Sequence, residues 1–320
     1  MKVLANDGIS SSGKAALASN GHILLETTVA QDQLAAFIQS ENIEVLLVRS
    51  ATVVRKDLID QCPSLKVIGR GGVGMDNIDV DYARGKGLKV INTPAASSQS
   101  VAELVFAHLA GMVRFLHDSN RNMPLEGDSK FKQLKKTYAG GVELKGRTLG
   151  VVGFGRIGRS LAKLALGHGM DVIFYDMVSD DVTLDLELGN GVSATANVKW
   201  VDFDQLLSQS DFISLHVPGS GKAIIGKDQI AKMKPGSGLL NAARGGVIDE
   251  PALIAALESG HIRYAGLDVF VDEPTPAVQV LMNDKVSITP HIGAATEEAQ
   301  DRIGTELADQ IQTISLAVTP

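Results

Sequence analysis

The chain has one cysteine, Cys62, in 320 residues, so no intramolecular disulfide can form and a cross-linked scaffold is excluded. Cys62, just before Pro63, reads as an inert core or near-surface thiol. The seven histidines and that thiol show no metal-ligand spacing, so no metal is expected. Positive charge is also short. Thirty basic against 37 acidic side chains give a formal charge of -7, whereas a nucleic-acid reader needs a concentrated positive footprint to neutralise phosphates. Long hydrophobic runs are missing: no window of about 18 residues is apolar and free of charge. The opening Met1-Lys2-Val3-Leu4-Ala5-Asn6-Asp7 turns polar before a signal-peptide core could form. A soluble cytoplasmic protein is expected, without nucleic-acid or membrane partners.

What is present is Val, Ile and Leu in short runs, each closed by Gly, Asp, Asn or Pro and followed by helical spacing. The runs cover residues 2–5, 45–48, 67–68, 89–91, 148–152, 171–175, 212–216, 238–241, 265–269 and 286–289. Continuous apolar strands alternating with helices mean mostly parallel sheets covered on both faces. The fold class is therefore α/β, and the length suggests two domains. An apolar stripe from about Ser100 to Leu116 predicts a helix passing between them, and Thr296 can cap a final helix over residues 297–316. If that helix returns to the first domain, residues 99–291 form a domain inserted between 1–98 and 292–320. The polar stretch 120–143, with its basic run 130–136, reads as a solvated loop or short helix, or as an arm reaching a partner subunit. The chain stops a few residues after its last expected helix, so no further regulatory domain is anticipated.

The strongest motif is Gly153-Phe154-Gly155-Arg156-Ile157-Gly158 between an apolar strand and a helix pattern. Gly153 makes the tight turn, Gly155 lets backbone approach a pyrophosphate, and Gly158 lets helix and strand pack closely, so that the helix N-terminus faces the phosphates. The next strand ends in Asp176, at about the separation this fingerprint requires for a carboxylate on the adenosine ribose. That choice favours NAD over NADP, although Asp180, Asp181 and Asp185 lie nearby. Three more strands end in polar or glycine-rich loops, at His216-Val217-Pro218, Ala242-Ala243-Arg244-Gly245-Gly246 and Asp268, and are expected to line the same crevice.

Arg244, Glu273 and His291 follow successive strands. Oxidising a secondary alcohol needs a base for the hydroxyl proton, and histidine exchanges protons near neutrality. A carboxylate can orient the ring. Arginine offers a planar fork for a substrate carboxylate. Each also has an ordinary alternative as a surface ion pair, loop acid or packing histidine.

Nearly the whole chain resembles the D-isomer-specific 2-hydroxyacid dehydrogenases. The resemblance lies in Val48-Arg49-Ser50-Ala51-Thr52, the segment 68–79 containing Arg70-Gly71-Gly72-Val73-Gly74, the Gly153 fingerprint, Asn241 to Gly246, 267–274, and Pro290-His291-Ile292-Gly293. It implies a Rossmann-type cofactor domain inserted in a flavodoxin-like substrate domain, and NAD bound by the fingerprint, Asp176, the 216–218 loop, Ala242, Arg244, Asp268 and His291. It further implies that His291 is the acid–base residue, Glu273 its partner and Arg244 the carboxylate grip. Gly71, Gly72, Val73 and Gly74 would present backbone donors to substrate.

Arg49 and Arg70, with Arg121 as a further candidate near a subunit contact, match positions expected to face a phosphate end. Three arginines suit a dianion, so the expected reaction is oxidation of D-3-phosphoglycerate to 3-phosphooxypyruvate, opening serine synthesis. Reduction of hydroxypyruvate, glyoxylate or another small 2-keto acid is the alternative. A non-catalytic dinucleotide-responsive binding protein ranks below both. Where many relatives have Gly-Asn this chain has Ala96-Ser97, leaving Ser97 or Ser98 to replace an active-site amide. A homodimer is expected.

Overall fold

The computed structural model describes residues 1–219 and 221–318. It divides into two compact units, one formed by Met1–Ser100 with Ala294–Pro320 and the other by Val101–Gly293.

In the first unit, strands β1 (Lys2–Ala5), β2 (Ile23–Leu25), β3 (Val45–Val48), β4 (Val67–Arg70) and β5 (Lys89–Asn92) form a parallel sheet ordered β2-β1-β3-β4-β5. This is the flavodoxin-like order. β3 is buried at every position because helices cover both of its faces. One core gathers Leu46, Val48, Ile68 and Leu34; the other gathers Val3, Val45, Val67, Ile303 and Leu307. The final helix, Glu297–Val318, supplies that second layer, and its first turn is capped by the Thr296 hydroxyl, which accepts from the Ala299 N–H at 3.2 Å.

The second unit carries β6 (Thr148–Val152), β7 (Asp171–Tyr175), β8 (Val182–Glu187), β9 (Ser193–Trp200), β10 (Phe212–Leu215), β11 (Ser237–Asn241), β12 (Ile262–Leu267) and β13 (Val286–Ile288). Their order is β13-β12-β11-β10-β6-β7-β9-β8, parallel except for β8, which pairs antiparallel with β9. The sheet is thus mostly parallel, with one antiparallel hairpin at its edge. Chain order reverses between β6 and β10, so a crevice opens at the carboxyl ends of these strands, where α/β sheets bind ligands.

The helix that follows β5 spans Ser98–Met112 and is followed by Phe115 in a left-handed conformation, φ 55°. Of the loop and short helix expected for the polar stretch, the helix is found, and it is long. It is a second helix, Leu116–Thr137, that continues through Pro124 and turns non-helical only at Lys130. Its end is tied back by Tyr138, whose hydroxyl donates to Asp118 and accepts from the Asn122 amide at 2.8 Å. Among the described residues, no helix is long and apolar enough to cross a membrane. Cys62 is buried, and burial pushes its thiol up to about 11.

Candidate active site

Gly153 ends the turn after β6 at φ 90°, and a Cβ there would lie 2.5 Å from the carbonyl oxygen of His216. A Cβ on Gly158 would overlap the carbonyl of Gly153, while one on Gly155 meets nothing. Two of the glycines are therefore demanded by close packing, and the third leaves space at a helix end. The helix Arg156–Gly167 starts there with no side-chain cap, so its first N–H groups face the crevice. Arg156 is exposed, Ile157 half-buried and Gly158 buried. Asp176 follows β7 and reaches back, its Oδ2 accepting from the Phe154 N–H at 2.6 Å and its Oδ1 from the Met177 N–H at 2.7 Å. The carboxylate is thereby fixed beside the turn. This uncapped cradle beside a fixed carboxylate fits an NAD pyrophosphate and ribose.

His216 closes β10. Its Nε2 lies 2.9 Å from the Ser214 hydroxyl, and its Nδ1 is shut from solvent with no hydrogen-bond partner among the described residues. Burial holds the imidazole down to about 4. The unfolded chain protonates this group near about 6.5, so between those values it binds more protons than the native protein does. Stability present above pH about 6.5 is therefore lost as pH falls toward about 4, by up to about 3 kcal/mol. Urea midpoints measured from pH 7.5 to 4.5 should fall more steeply for the native sequence than for His216→Asn; parallel curves would refute the assignment. Val217 is half-buried and Pro218 exposed.

β11, β12 and β13 are neighbours, and the three reactive side chains come from the loops that follow them. Asn241 organises the first loop, its side chain accepting from the Ala243 N–H and donating to the Arg244 carbonyl. Arg244 Nη1 donates to the carbonyl of Ala243 at 2.6 Å, and Ala242 is half-buried beside it. In the second loop, Glu273 Oε1 accepts from the Phe270 N–H at 2.9 Å, which leaves Oε2 for His291 Nδ1 at 2.7 Å. A carboxylate only accepts, so Nδ1 carries the proton and Nε2 is the basic nitrogen. His291 is 45% exposed, enough to meet a substrate, and sits at φ 55°, a conformation that costs a β-carbon residue about 1–2 kcal/mol.

Asp268, expected at the cofactor, is 1% exposed, and its oxygens accept from Thr289 Oγ1, Ile292 N–H and Gly293 N–H. Both sides of His291 are thus braced by one buried carboxylate. Nothing in residue spacing foretold that role.

The first unit holds the other candidates. Gly71 lies against the Arg49 side chain, and a Cβ on Gly72, φ 150°, would overlap the Arg70 guanidinium. Both arginines thus flank the Gly71–Gly74 loop. Asn92 Nδ2 donates to the Val73 carbonyl at 2.8 Å and fixes the loop, while Val73 itself is exposed. Asp7 fixes the other side, accepting from the N–H groups of Arg49 and Thr52 at 2.6 and 3.1 Å. Asp7 and Asn92 were missed; their signal was position, as polar residues at or just past strand ends. Ser97 and Ser98 are buried, and Ser98 donates to the Pro94 carbonyl, so neither replaces an exposed amide. Arg121 is exposed on the helix Leu116–Thr137, with no hydrogen bond to a site residue among the described residues of its own unit.

The model of the D-isomer specific 2-hydroxyacid dehydrogenase NAD binding domain matches residues 106–293. Hydroxypyruvate reductase of Thermotoga maritima is 46% identical over 274 residues, 84% of this chain and 84% of that protein. D-3-phosphoglycerate dehydrogenase of Methanocaldococcus jannaschii is 41% identical over 317 residues, 98% of this chain and 57% of that protein. The chain spans about half the length of the curated phosphoglycerate dehydrogenases it matches. Among solved structures, the D-lactate dehydrogenase from Aquifex aeolicus complexed with NAD and lactic acid matches with a TM-score of 0.75 at 29% identity, over 99% of this chain and 96% of that one.

Proposed function

The chain belongs to the D-isomer specific 2-hydroxyacid dehydrogenase family, whose members are NAD-dependent oxidoreductases of small D-2-hydroxyacids, and we propose that its substrate pair is hydroxypyruvate and D-glycerate. The observation that carries the chemistry is the His291–Glu273 pair at 2.7 Å. The similarity to the hydroxypyruvate reductase, even over both chains, supports the choice of acid.

Arg244 holds the carboxylate of the acid. His291 Nε2 takes the hydroxyl proton on oxidation and returns it to the carbonyl oxygen on reduction, while Glu273 keeps the ring oriented and offsets its charge when both nitrogens are protonated. NAD, when bound, accepts or supplies the hydride at Cα. Its pyrophosphate is held by the turn Gly153–Gly158 and its ribose by Asp176. That carboxylate repels a 2′-phosphate and so disfavours NADP.

A second reading has a specific observation behind it. Arg49 and Arg70 flank one loop, an arrangement suited to the dianion of D-3-phosphoglycerate, whose oxidation to 3-phosphooxypyruvate would open serine synthesis. One assay separates the readings: NADH consumption with hydroxypyruvate and glyoxylate, and NADH formation with D-glycerate, D-lactate and D-3-phosphoglycerate, each repeated with the NADP couple. Hydroxypyruvate is expected to turn over fastest. Selective turnover of the phosphorylated acid would replace the first reading by the second, and tight NADH binding without turnover of any acid would leave a binding protein.

The partner we propose is a second copy of the chain, docked on the helix Leu116–Thr137, where Met123, Leu125 and Phe131 are 41%, 77% and 57% exposed. Light scattering is expected to give twice the chain mass, and Leu125→Glu with Phe131→Glu to give one. A monomeric native protein would sink the proposal.

A further inference from the structure

Behind the His291 loop lies a chain of hydrogen bonds whose direction is fixed by chemistry. Asp268 accepts from Thr289 Oγ1 at 2.6 Å, so the single proton of that hydroxyl points to the carboxylate. Thr289 Oγ1 then has only lone pairs to offer His108 Nε2, 2.9 Å away, and Nε2 must carry a proton. His108 is buried on the helix Ser98–Met112, and burial holds its imidazole below the ordinary histidine value, in the neutral form. Its Nδ1 is therefore bare, and accepts from the Ser287 hydroxyl at 2.8 Å. The order reads Ser287 to His108 to Thr289 to Asp268, which in turn receives the N–H groups of Ile292 and Gly293.

The ring fits there because β12 has glycine opposite it. A Cβ on Gly266 would stand 2.9 Å from the Cβ of His108. Among the described residues His108 hydrogen-bonds neither Glu273 nor His291, yet its Nε2–H is what keeps Thr289 oriented as a donor. Without that proton the Thr289 hydroxyl could rotate, and Asp268 would lose one of the three donors that set the segment around His291.

We propose that His108 is a positioning residue for the acid–base site: its Nε2–H, acting through Thr289 and Asp268, holds the 289–293 segment so that His291 keeps its left-handed backbone and its bond to Glu273. The inference rests on the reading of His291 as the acid–base group.

Two amides separate this role from simple packing. A glutamine amide reaches as far as Nε2 and keeps a donor for Thr289; an asparagine reaches only as far as Nδ1 and keeps an acceptor for Ser287. With hydroxypyruvate and NADH, or D-3-phosphoglycerate and NAD, whichever pair turns over, kcat should fall roughly tenfold or more in His108→Asn and Thr289→Val. It should stay within about threefold of native in His108→Gln, with NADH affinity unchanged in all three. Equal losses in the glutamine and asparagine variants, or full kcat in Thr289→Val, overturn the proposal.

Two measurements need no turnover. Nitrogen-15 NMR of histidine-labelled native protein should find His108 protonated at Nε2, and an Nδ1–H tautomer would refute the direction derived above. Amide exchange at Ile292 and Gly293 should quicken in His108→Asn but not in His108→Gln. His291→Gln in the same panel tests the underlying reading separately: unchanged kcat there removes the acid–base assignment while leaving the tautomer result standing.

Discussion

Replacing His291 with glutamine lowers kcat by about 10²–10⁴, the usual worth of a positioned proton carrier, and leaves NADH binding intact. The separation of the two effects follows from the topology. His291 follows β13 at one edge of the sheet, whereas the cradle for the pyrophosphate follows β6 near its centre. The single tryptophan, Trp200, gives the control readout: its indole N–H donates to the Asp176 carbonyl at 3.0 Å, so quenching of its fluorescence reports occupation of the ribose side. Glu273→Gln should cost less, because His291 is still there to carry the proton, although the charge is lost and the one amide oxygen can serve only one of the two donors, Phe270 N–H and His291 Nδ1–H. An unaltered kcat in His291→Gln, with quenching retained, would mean that another group carries the proton.

The cofactor half of this site was legible in the sequence because its parts are contiguous: strand, glycine turn and helix lie between Thr148 and Gly167, and close packing demands two of the three glycines, Gly153 and Gly158. The reactive half was not. Arg244, Glu273 and His291 lie on neighbouring loops only because β11, β12 and β13 are adjacent, and spacing along the chain carries no trace of that adjacency; resemblance to a family had to supply it. The 2.7 Å contact between Glu273 and His291 is a fact of topology.

Each missed element has its own physical cause. Continuous apolar runs betray strands buried on both faces, but β8 buries Leu184 and Leu186 while exposing Thr183, Asp185 and Glu187. That period of two belongs to an edge strand covered on one face. β2, three residues long at the other sheet's edge, was too short to register. In the helix Leu116–Thr137, Pro124 and Gly127 mask a segment whose neighbours still favour helix.

Gly245→Ala should be the most damaging change of a single methyl group in the second unit, costing about 3 kcal/mol or more where overpacking of a core usually costs about 1–3. The added Cβ would fall on the carbonyl oxygen of Phe270 and 3.0 Å from the Val271 nitrogen. These are backbone atoms and have no rotamer by which to move aside. Gly246 is the instructive contrast: its φ of 80° strains any side chain, but nothing lies within 4 Å of its Cβ position, so Gly246→Ala should cost only the about 1–2 kcal/mol of a left-handed residue. The damage at Gly245 is also functional. The peptide it displaces, Phe270–Val271, carries the Val271 N–H that donates to Glu250, a carboxyl raised above the usual carboxylate range by burial, and it directly follows the Phe270 N–H that anchors Glu273 Oε1. One shift thus moves Glu273 away from His291 and Arg244 away from its place. With misplacement of about 1 Å worth about 10² in rate, kcat of folded Gly245→Ala should drop about a hundredfold, while Gly246→Ala stays within about tenfold of native. Urea midpoints and kcat measured side by side decide it, and equal effects at the two glycines would show that backbone strain rather than the Phe270 contact governs this loop.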